Sequence, residues 1–171
     1  MPDPHPQKTD PMSLSSRKRH DVSLGAIKER VERLELPFNQ YGIDPYGISK
    51  KYLARSAFAL AQLYEHYFRV SAHGVDHIPA RGRAMLIGNH SGGVAIDGAM
   101  VLASVFLERE PPRLAQGMVE KFINRFPIAS TWTSRTGQFT GTPSTCVNCH
   151  QAQYDATTSP AHRAAGFPQT C

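Results

Sequence analysis

The sequence predicts an α/β domain in which a mixed sheet is covered by helices. Helical spacing of apolar residues recurs over residues 24–34 and 50–70. A short apolar run at 84–88, bounded by turn residues, is typical of a buried strand. This run leads through a polar, glycine-rich turn into an apolar helical stretch at 98–108. Such a strand, turn and helix is where α/β proteins place their chemistry.

Length and composition indicate one folded domain with a tail at each end. The chain has 171 residues, of which 40 % are hydrophobic and 19 % charged, as in ordinary globular domains. Residues 1–22 lack periodicity and predict a disordered tail, residues 23–143 form the domain, and residues 144–171 form an irregular tail. Since no secretory signal or membrane-spanning run is visible, we expect a cytoplasmic protein.

The first predicted helix follows from the spacing of Leu24, Ile27, Val31 and Leu34, and it ends before Pro37. A second, longer helix is predicted over residues 50–70, with an apolar and aromatic stripe along one face. Two interpretations of that stripe stay open at this point. It packs into the core, or its aromatic residues form an edge that faces a membrane.

The second half of the domain predicts shorter elements. Residues 114–132 mix a strand with a helix and are interrupted at Pro127, and residues 136–141 form a glycine-flanked turn. Between positions 111 and 140 four basic residues stand against one acid, which gives this stretch a positive surplus. Because no dense basic stripe with interleaved aromatics accompanies the surplus, we expect no nucleic-acid partner.

His90 and Asp97 are the candidate catalytic pair. A neutral imidazole after a strand takes a proton from an alcohol, and a nearby carboxylate fixes its tautomer. Seven residues along a straight helix separate two groups by roughly 10 Å, so the loop must curl, which Gly92 and Gly93 allow. The same glycines expose backbone N–H groups to a phosphate or an oxyanion. The alternative is a structural histidine and an aspartate that caps a helix.

Residues 75–79 and 84–93, together with Asp97, resemble the first signature of the glycerolipid acyltransferases, the lysophosphatidic acid acyltransferase-like superfamily. The common form has four residues between His and Asp, whereas six stand here, so the chain resembles the branch with a His-Ser-Gly loop. Residues 125–127 and 133–143 resemble the second block of that family, in which an arginine and a glycine help to hold the phosphate of the acceptor.

The resemblance implies transfer of a fatty acyl group from a thioester, on coenzyme A or acyl carrier protein, to the hydroxyl of a glycerolipid. His90 is then the general base and Asp97 its partner, with no metal or cofactor besides the acyl donor. The implied partners are the lipid acceptor, the acyl thioester and the inner face of the membrane, on which the enzyme is peripheral. The implied substrate-binding residues are Asn89, Ser91, Gly92, Gly93, Arg135 and Gly137.

The family's third block, Phe-Pro-Glu-Gly, does not occur in this sequence. We therefore expect a partial acyltransferase domain, marginally folded and with acyl transfer near background. A non-catalytic remnant that binds lipid or a partner is the alternative. A hydrolase elbow around Ser91 would need a glycine where Asn89 stands.

The C-terminal tail differs in composition from the domain. Beyond residue 140 only Val147 and Phe167 belong to the Leu, Ile, Val, Met and Phe set, and all three cysteines lie there. A shift of reading frame is one hypothesis for the change, which sequencing of the coding DNA tests.

The Cys-x-x-Cys-His run at 146–150 matches the attachment signature of a c-type haem, although no export signal accompanies it. The other interpretations are unpaired thiols or a zinc site with four ligands. That zinc site would take Cys146, Cys149, His162 and Cys171.

Overall fold

The computed structural model describes residues 18–82, 84–89 and 95–142. It has an α/β architecture in which helices predominate over a small parallel sheet. The helices are α1 (Leu24–Glu32), α2 (Lys50–Gln62), a π-helical turn (Leu63–Tyr67), a 3-10 turn (Val75–His77), α3 (Ile96–Glu108), a 3-10 turn (Lys121–Arg125) and α4 (Pro127–Arg135). The strands are β1 (Met118–Val119) and β2 (Phe139–Thr140), which pair in parallel.

Helix α1 confirms the first predicted helix. The Ser23 hydroxyl accepts a hydrogen bond from the Ala26 N–H at 3.2 Å and so caps the helix start. Ile27 and Val31 are almost fully buried against α2. The helix ends at Glu32, well before Pro37, so the proline is not what stops it.

The long second helix divides into two parts. Regular α-helix ends at Gln62, and the Phe68 N–H then donates to the Leu63 carbonyl at 2.8 Å, the i to i+5 bond of a π-turn. The apolar and aromatic stripe changes its surroundings at the same point. Tyr64 is fully buried, whereas Tyr67 and Phe68 are exposed. The stripe is therefore core along α2, and its last aromatic residues face outward.

Residues 18–22 differ from the disorder predicted for residues 1–22. Val22 is only 7 % exposed, and its carbonyl accepts a hydrogen bond from the Gln62 amide at 2.7 Å. The His20 ring lies edge-on to Tyr64 with a centroid distance of 6.4 Å. This part of the N-terminal segment thus packs on α2 and the π-turn, while residues 1–17 lie outside the described residues.

The buried strand predicted at residues 84–88 is wrong. Leu86 is 46 % and Ile87 is 84 % exposed, and β1 and β2 are the strands of the described sheet. An extended apolar segment becomes a buried strand only where a neighbouring strand pairs with it, and no described strand lies beside this one. The chain just before it is held by the guanidinium of Arg113, which donates to the carbonyls of Pro79 and Gly82.

Helix α3 confirms the apolar helix predicted after the glycine-rich turn, and its C-terminal end is fixed to α1. Arg30 donates to the Phe106 carbonyl and, at 2.7 Å, to the Arg109 carbonyl. Arg30 and Arg33 each donate to the Glu110 carboxylate at 2.6 Å. A guanidinium thereby satisfies carbonyls at a helix end that have no partner within the helix.

Pro127 begins a helix instead of interrupting one. It is the first residue of α4, where a missing N–H costs nothing and the fixed φ favours the helix. Helix α4 ends in a Schellman motif: the Gln138 N–H donates to the Thr133 carbonyl at 2.8 Å, and the Gly137 N–H donates to the Ser134 carbonyl at 3.3 Å. This turn leads the chain directly into β2.

Gly137 should be the costliest glycine to replace at this turn. Its φ is +82°, and a Cβ there would lie 3.1 Å from Ile48 Cδ1. Gly82 has nearly the same φ, +83°, with no atom within 4 Å of its Cβ position. We expect Gly82→Ala to lose about 1 kcal/mol of unfolding free energy and Gly137→Ala at least about 2 kcal/mol, measured by urea denaturation. Equal losses would contradict the close packing at Gly137.

His20 should make the free energy of unfolding depend on pH. Burial lowers the pKa of His20 below 6.5; Glu108 and Glu65 oppose this shift, while Lys18 and Arg30 add to it. Because the folded state favours the neutral ring, the unfolded state binds more protons below pH 6.5, and stability falls as the pH falls through that range.

We expect His20→Gln to flatten the dependence between about pH 7.5 and 5.5, measured by urea denaturation. His73→Gln, at an exposed position, is the matched control and should keep the wild-type profile. A rise in wild-type stability on acidification would mean that the neighbouring carboxylates outweigh burial.

Candidate functional site

Asp97 lies in the first turn of α3, one residue after the helix begins at Ile96. Its side chain is half-buried, and the carboxylate oxygen Oδ1 accepts a hydrogen bond from the Gly98 N–H at 2.7 Å. The N-cap residue is Ala95, so Asp97 is not the N-cap that the structural alternative assumed. A carboxylate at this position is stabilised by the positive end of the helix dipole.

The structure describes both ends of the loop that carries the other half of the candidate pair. Asn89 is exposed at the end of the extended segment 84–89, and the chain resumes at Ala95 with α3. His90, Ser91, Gly92 and Gly93 lie outside the described residues. The hydrogen bond expected between the imidazole and the Asp97 carboxylate therefore stays a prediction.

Arg135 is the last residue of α4 and lies against the connector that precedes α2. Its guanidinium Nη1 donates to the Gly47 carbonyl at 3.3 Å, and its own carbonyl accepts a hydrogen bond from the Ser49 N–H at 3.0 Å. The side chain is half-buried. In the part of the chain that the structure describes, Arg135 thus joins the end of α4 to this connector, and its predicted contact with an acceptor phosphate stays a prediction.

Gly137 has a structural explanation that the sequence reasoning missed. It is buried at the C-terminal turn of α4, with Ile48, Gln116 and Leu114 around its Cβ position. A glycine two residues after the last helical residue is the ordinary signal of a Schellman motif, so the sequence did contain this information. Its proximity to Arg135 follows from the turn.

Apolar side chains are exposed on both sides of the candidate loop and around the small sheet. Ile87 and Ile128 are the most exposed of them, at 84 % and 89 %. Large exposed apolar surfaces mark sites of contact with lipid or with another polypeptide. The further members of this exposed set are Leu86, Ile96, Val101, Met118, Phe122, Phe126 and Trp132.

A cavity of about 530 Å³ lies between the N-terminal segment and the π-turn. Sequence reasoning missed it, because Arg19 was assigned to the disordered tail and the other wall residues to one regular helix. The residues that line it are Arg19, His20, Glu65, His66 and Arg69.

Among the residues that the structure describes, no three His, Cys, Asp or Glu side chains are grouped as metal ligands would be. Residues 146–171, with the haem-like run and the four zinc candidates, lie outside that part of the chain. Over the same described ranges, no helix has both the length and the apolar character needed to cross a bilayer.

No family model matches the chain, and no solved structure matches it. It is similar to an uncharacterized protein of Mycobacterium leprae, with 24 % identity over 128 residues, which cover 72 % of this chain and 33 % of the relative. Uncharacterized proteins of Mycobacterium bovis and Mycobacterium tuberculosis are also 24 % identical, over 98 residues that cover 57 % of this chain and 27 % of each relative. The chain thus spans about a third or less of the curated relatives that it matches.

Proposed function

We propose that the chain carries the acyl-transfer motif of a glycerolipid acyltransferase. The observation that carries the proposal is the position of Asp97 in the first turn of α3, four residues after the Asn-His-Ser-Gly-Gly segment. A carboxylate at that end of a helix is stabilised by the helix dipole, and a carboxylate is the group that orients an imidazole base. The substrates are an acyl thioester and the hydroxyl of a glycerolipid.

The proposed reaction begins when His90 removes the proton from the acceptor hydroxyl. The alkoxide oxygen attacks the thioester carbonyl, and the negative charge that develops on the carbonyl oxygen is stabilised by backbone N–H groups of the loop at Gly92 and Gly93. The carbon–sulfur bond then breaks, the imidazolium of His90 returns its proton to the thiolate, and the ester and free thiol leave. Asp97 stabilises the imidazolium between the two proton transfers.

We further propose that β1 and β2 belong to a larger mixed sheet covered by helices. Support comes from the exposure of apolar side chains on β1 and in the 3-10 turn that follows it, at Met118 and Phe122. A parallel pair of two-residue strands buries little surface by itself, and parallel sheets are normally covered on both faces. The remaining strands would come from polypeptide beyond the part described here.

A membrane surface is the proposed working place, because the acceptor is a lipid and the reacting loop is flanked by exposed apolar side chains. Ile87 precedes the loop, and Ile96 and Val101 follow it. Apolar side chains beside a site allow it to rest on the headgroup region while the acceptor hydroxyl reaches the base. The enzyme would then be peripheral and cytoplasmic.

A non-catalytic module that binds lipid or a partner is the second candidate. It is favoured by the same exposed apolar side chains. Catalytic and non-catalytic forms differ in one measurable product, the free thiol released from acyl-coenzyme A in the presence of lysophosphatidic acid.

His90→Ala should lower the turnover of acyl transfer by roughly 10²–10⁴, the usual contribution of a general base, and Asp97→Asn should lower it less. Turnover is measured as thiol release, in this chain or, where its transfer is near background, in a longer homologue that has the same Asn-His-Ser-Gly segment. The matched control is His73→Ala, at an exposed position before the loop, which should keep wild-type turnover. Wild-type turnover in His90→Ala would refute the assignment of the base.

Arg135→Lys should raise the KM for a phosphorylated lysolipid and leave kcat nearly unchanged, because an ammonium cannot replace a bidentate guanidinium on phosphate. Its hydrogen bond to the Gly47 carbonyl offers a competing explanation, in which the substitution lowers thermal stability and leaves KM alone. Measuring KM and the unfolding midpoint on the same sample separates the two. Arg55→Lys, on an exposed side chain of α2 outside the second block, is the control.

A further inference from the structure

The cavity beside the π-turn has the size of a small-molecule site and a lining of polar and charged side chains. Its volume of about 530 Å³ lies within the range of roughly 300–1,000 Å³ of ligand pockets. Two arginines, two histidines and one glutamate line it: Arg19, His20, Glu65, His66 and Arg69. Arg19, His66 and Arg69 are exposed, so their donor groups are accessible to a ligand that enters the cavity.

Among the described residues, several arginines of the domain are paired with glutamates, whereas the two that line the cavity are not. Arg30, Arg33 and Arg81 form ion pairs with glutamates. Arg19 and Arg69 have no hydrogen-bond or ion-pair partner among the residues that the structure describes, and both are exposed toward solvent. Two unpaired arginines that line the same cavity, one from the N-terminal segment and one after the π-turn, produce a local positive potential, which the Glu65 carboxylate in the lining offsets only in part.

The backbone around the cavity is strained where it presents Arg69. Arg69 has a φ of +49°, and it is the single residue other than glycine with positive φ in the described chain. The Val70 N–H donates to the Tyr64 carbonyl at 3.0 Å across this turn. A left-handed conformation is unfavourable for an arginine, and glycine or asparagine would fit better. Backbone strain of this kind concentrates at binding and catalytic sites, as do π-turns.

The cavity is separate from the proposed acyl-transfer site. The cavity residue His20 has its Nε2 atom 3.7 Å from the Glu108 carboxylate at the last residue of α3. Asp97 lies at the other end of that helix, and a rise of about 1.5 Å per residue separates the two ends by roughly 16 Å. A ligand in the cavity would therefore not contact the reacting groups.

We propose that this cavity binds a small phosphorylated alcohol. Arg19 and Arg69 hold the phosphate through charge-assisted hydrogen bonds, with an N–H of the His66 imidazole as a further donor. The Glu65 carboxylate accepts a hydrogen bond from the ligand's hydroxyl, and its charge disfavours a ligand with a second anionic group. The site operates whether or not the chain transfers acyl groups, so the two proposals stand or fall separately.

The test is isothermal titration of the full 171-residue chain with glycerol 3-phosphate, inorganic phosphate and glycerol. We expect saturable binding of glycerol 3-phosphate, weaker binding of inorganic phosphate and none of glycerol. Arg69→Gln should raise the Kd roughly tenfold or more, as expected for the loss of a charged hydrogen-bond donor. Arg55→Gln removes the same charge from an exposed position on α2 and should leave the Kd unchanged.

Arg69→Gly is the second variant. Glycine accepts the positive φ at this position, so this variant should fold, and any loss of binding is then due to the missing guanidinium. We expect an unfolding midpoint equal to or above that of the wild type, together with weakened binding. Unchanged affinity in both Arg69 variants would overturn the proposal. Equal weakening by Arg55→Gln would also overturn it, because it would show a general charge effect. The absence of saturable binding to any phosphate probe would overturn it as well.

Vesicles distinguish a free ligand from a lipid headgroup. Phosphatidic acid vesicles and phosphatidylcholine vesicles are compared in a sedimentation assay with the same three variants. Binding to phosphatidic acid that depends on Arg69 but not on Arg55 would assign the phosphate to a lipid, even where the soluble probes bind weakly. Binding to both kinds of vesicle that is insensitive to Arg69 would overturn the phosphate site.

Discussion

The contact of the Arg30 guanidinium with the C-terminal end of α3 is the constraint on which the rest of the domain depends. Arg30 projects from α1, donates to the carbonyls of Phe106 and Arg109, and shares the Glu110 carboxylate with Arg33. Helix-end carbonyls have no partner within the helix, so a cation placed there fixes the helix axially as well as sideways. Without it, α3 could slide along its apolar contacts, which are not directional.

The two ends of α3 have different chemical surroundings. The N-terminal end carries Asp97 in its first turn, where the positive end of the helix dipole stabilises the carboxylate. At the other end Glu108 accepts a hydrogen bond from the Tyr64 hydroxyl and lies beside His20. Helix α3 thus separates Asp97 from the cationic cavity, so a ligand in the cavity does not contact Asp97.

The exposed apolar side chains and the relation to longer proteins bear on the same question. Ile87, Ile128 and other exposed apolar side chains leave apolar surface uncovered in the described structure. The mycobacterial relatives are about three to four times as long as the segment that they share with this chain. Binding measurements in solution distinguish a lipid from further polypeptide as the contact of this surface. Both proposals for this chain predict ligands whose binding can be measured.

The sequence by itself determined the elements whose cause is local. The apolar spacing in α1 and α3 and the glycine that ends α4 at position 137 all act within a few residues, so the pattern alone predicts them or contains their signal. The acyltransferase-like motif is local in the same sense, since it consists of neighbouring residue types in one loop.

Only the tertiary structure decided the features that depend on distant partners. Residues 84–88 have the composition of a strand, yet they stay exposed because pairing needs a second strand. The sequence alone places Arg19 in a disordered tail. In the structure the Val22 carbonyl is hydrogen-bonded to Gln62 of α2, and Arg19 lines the cavity beside the π-turn. Arg135 likewise contacts Gly47, far away in the sequence. Spacing along a chain carries no information about such contacts, because they are fixed by how the helices pack.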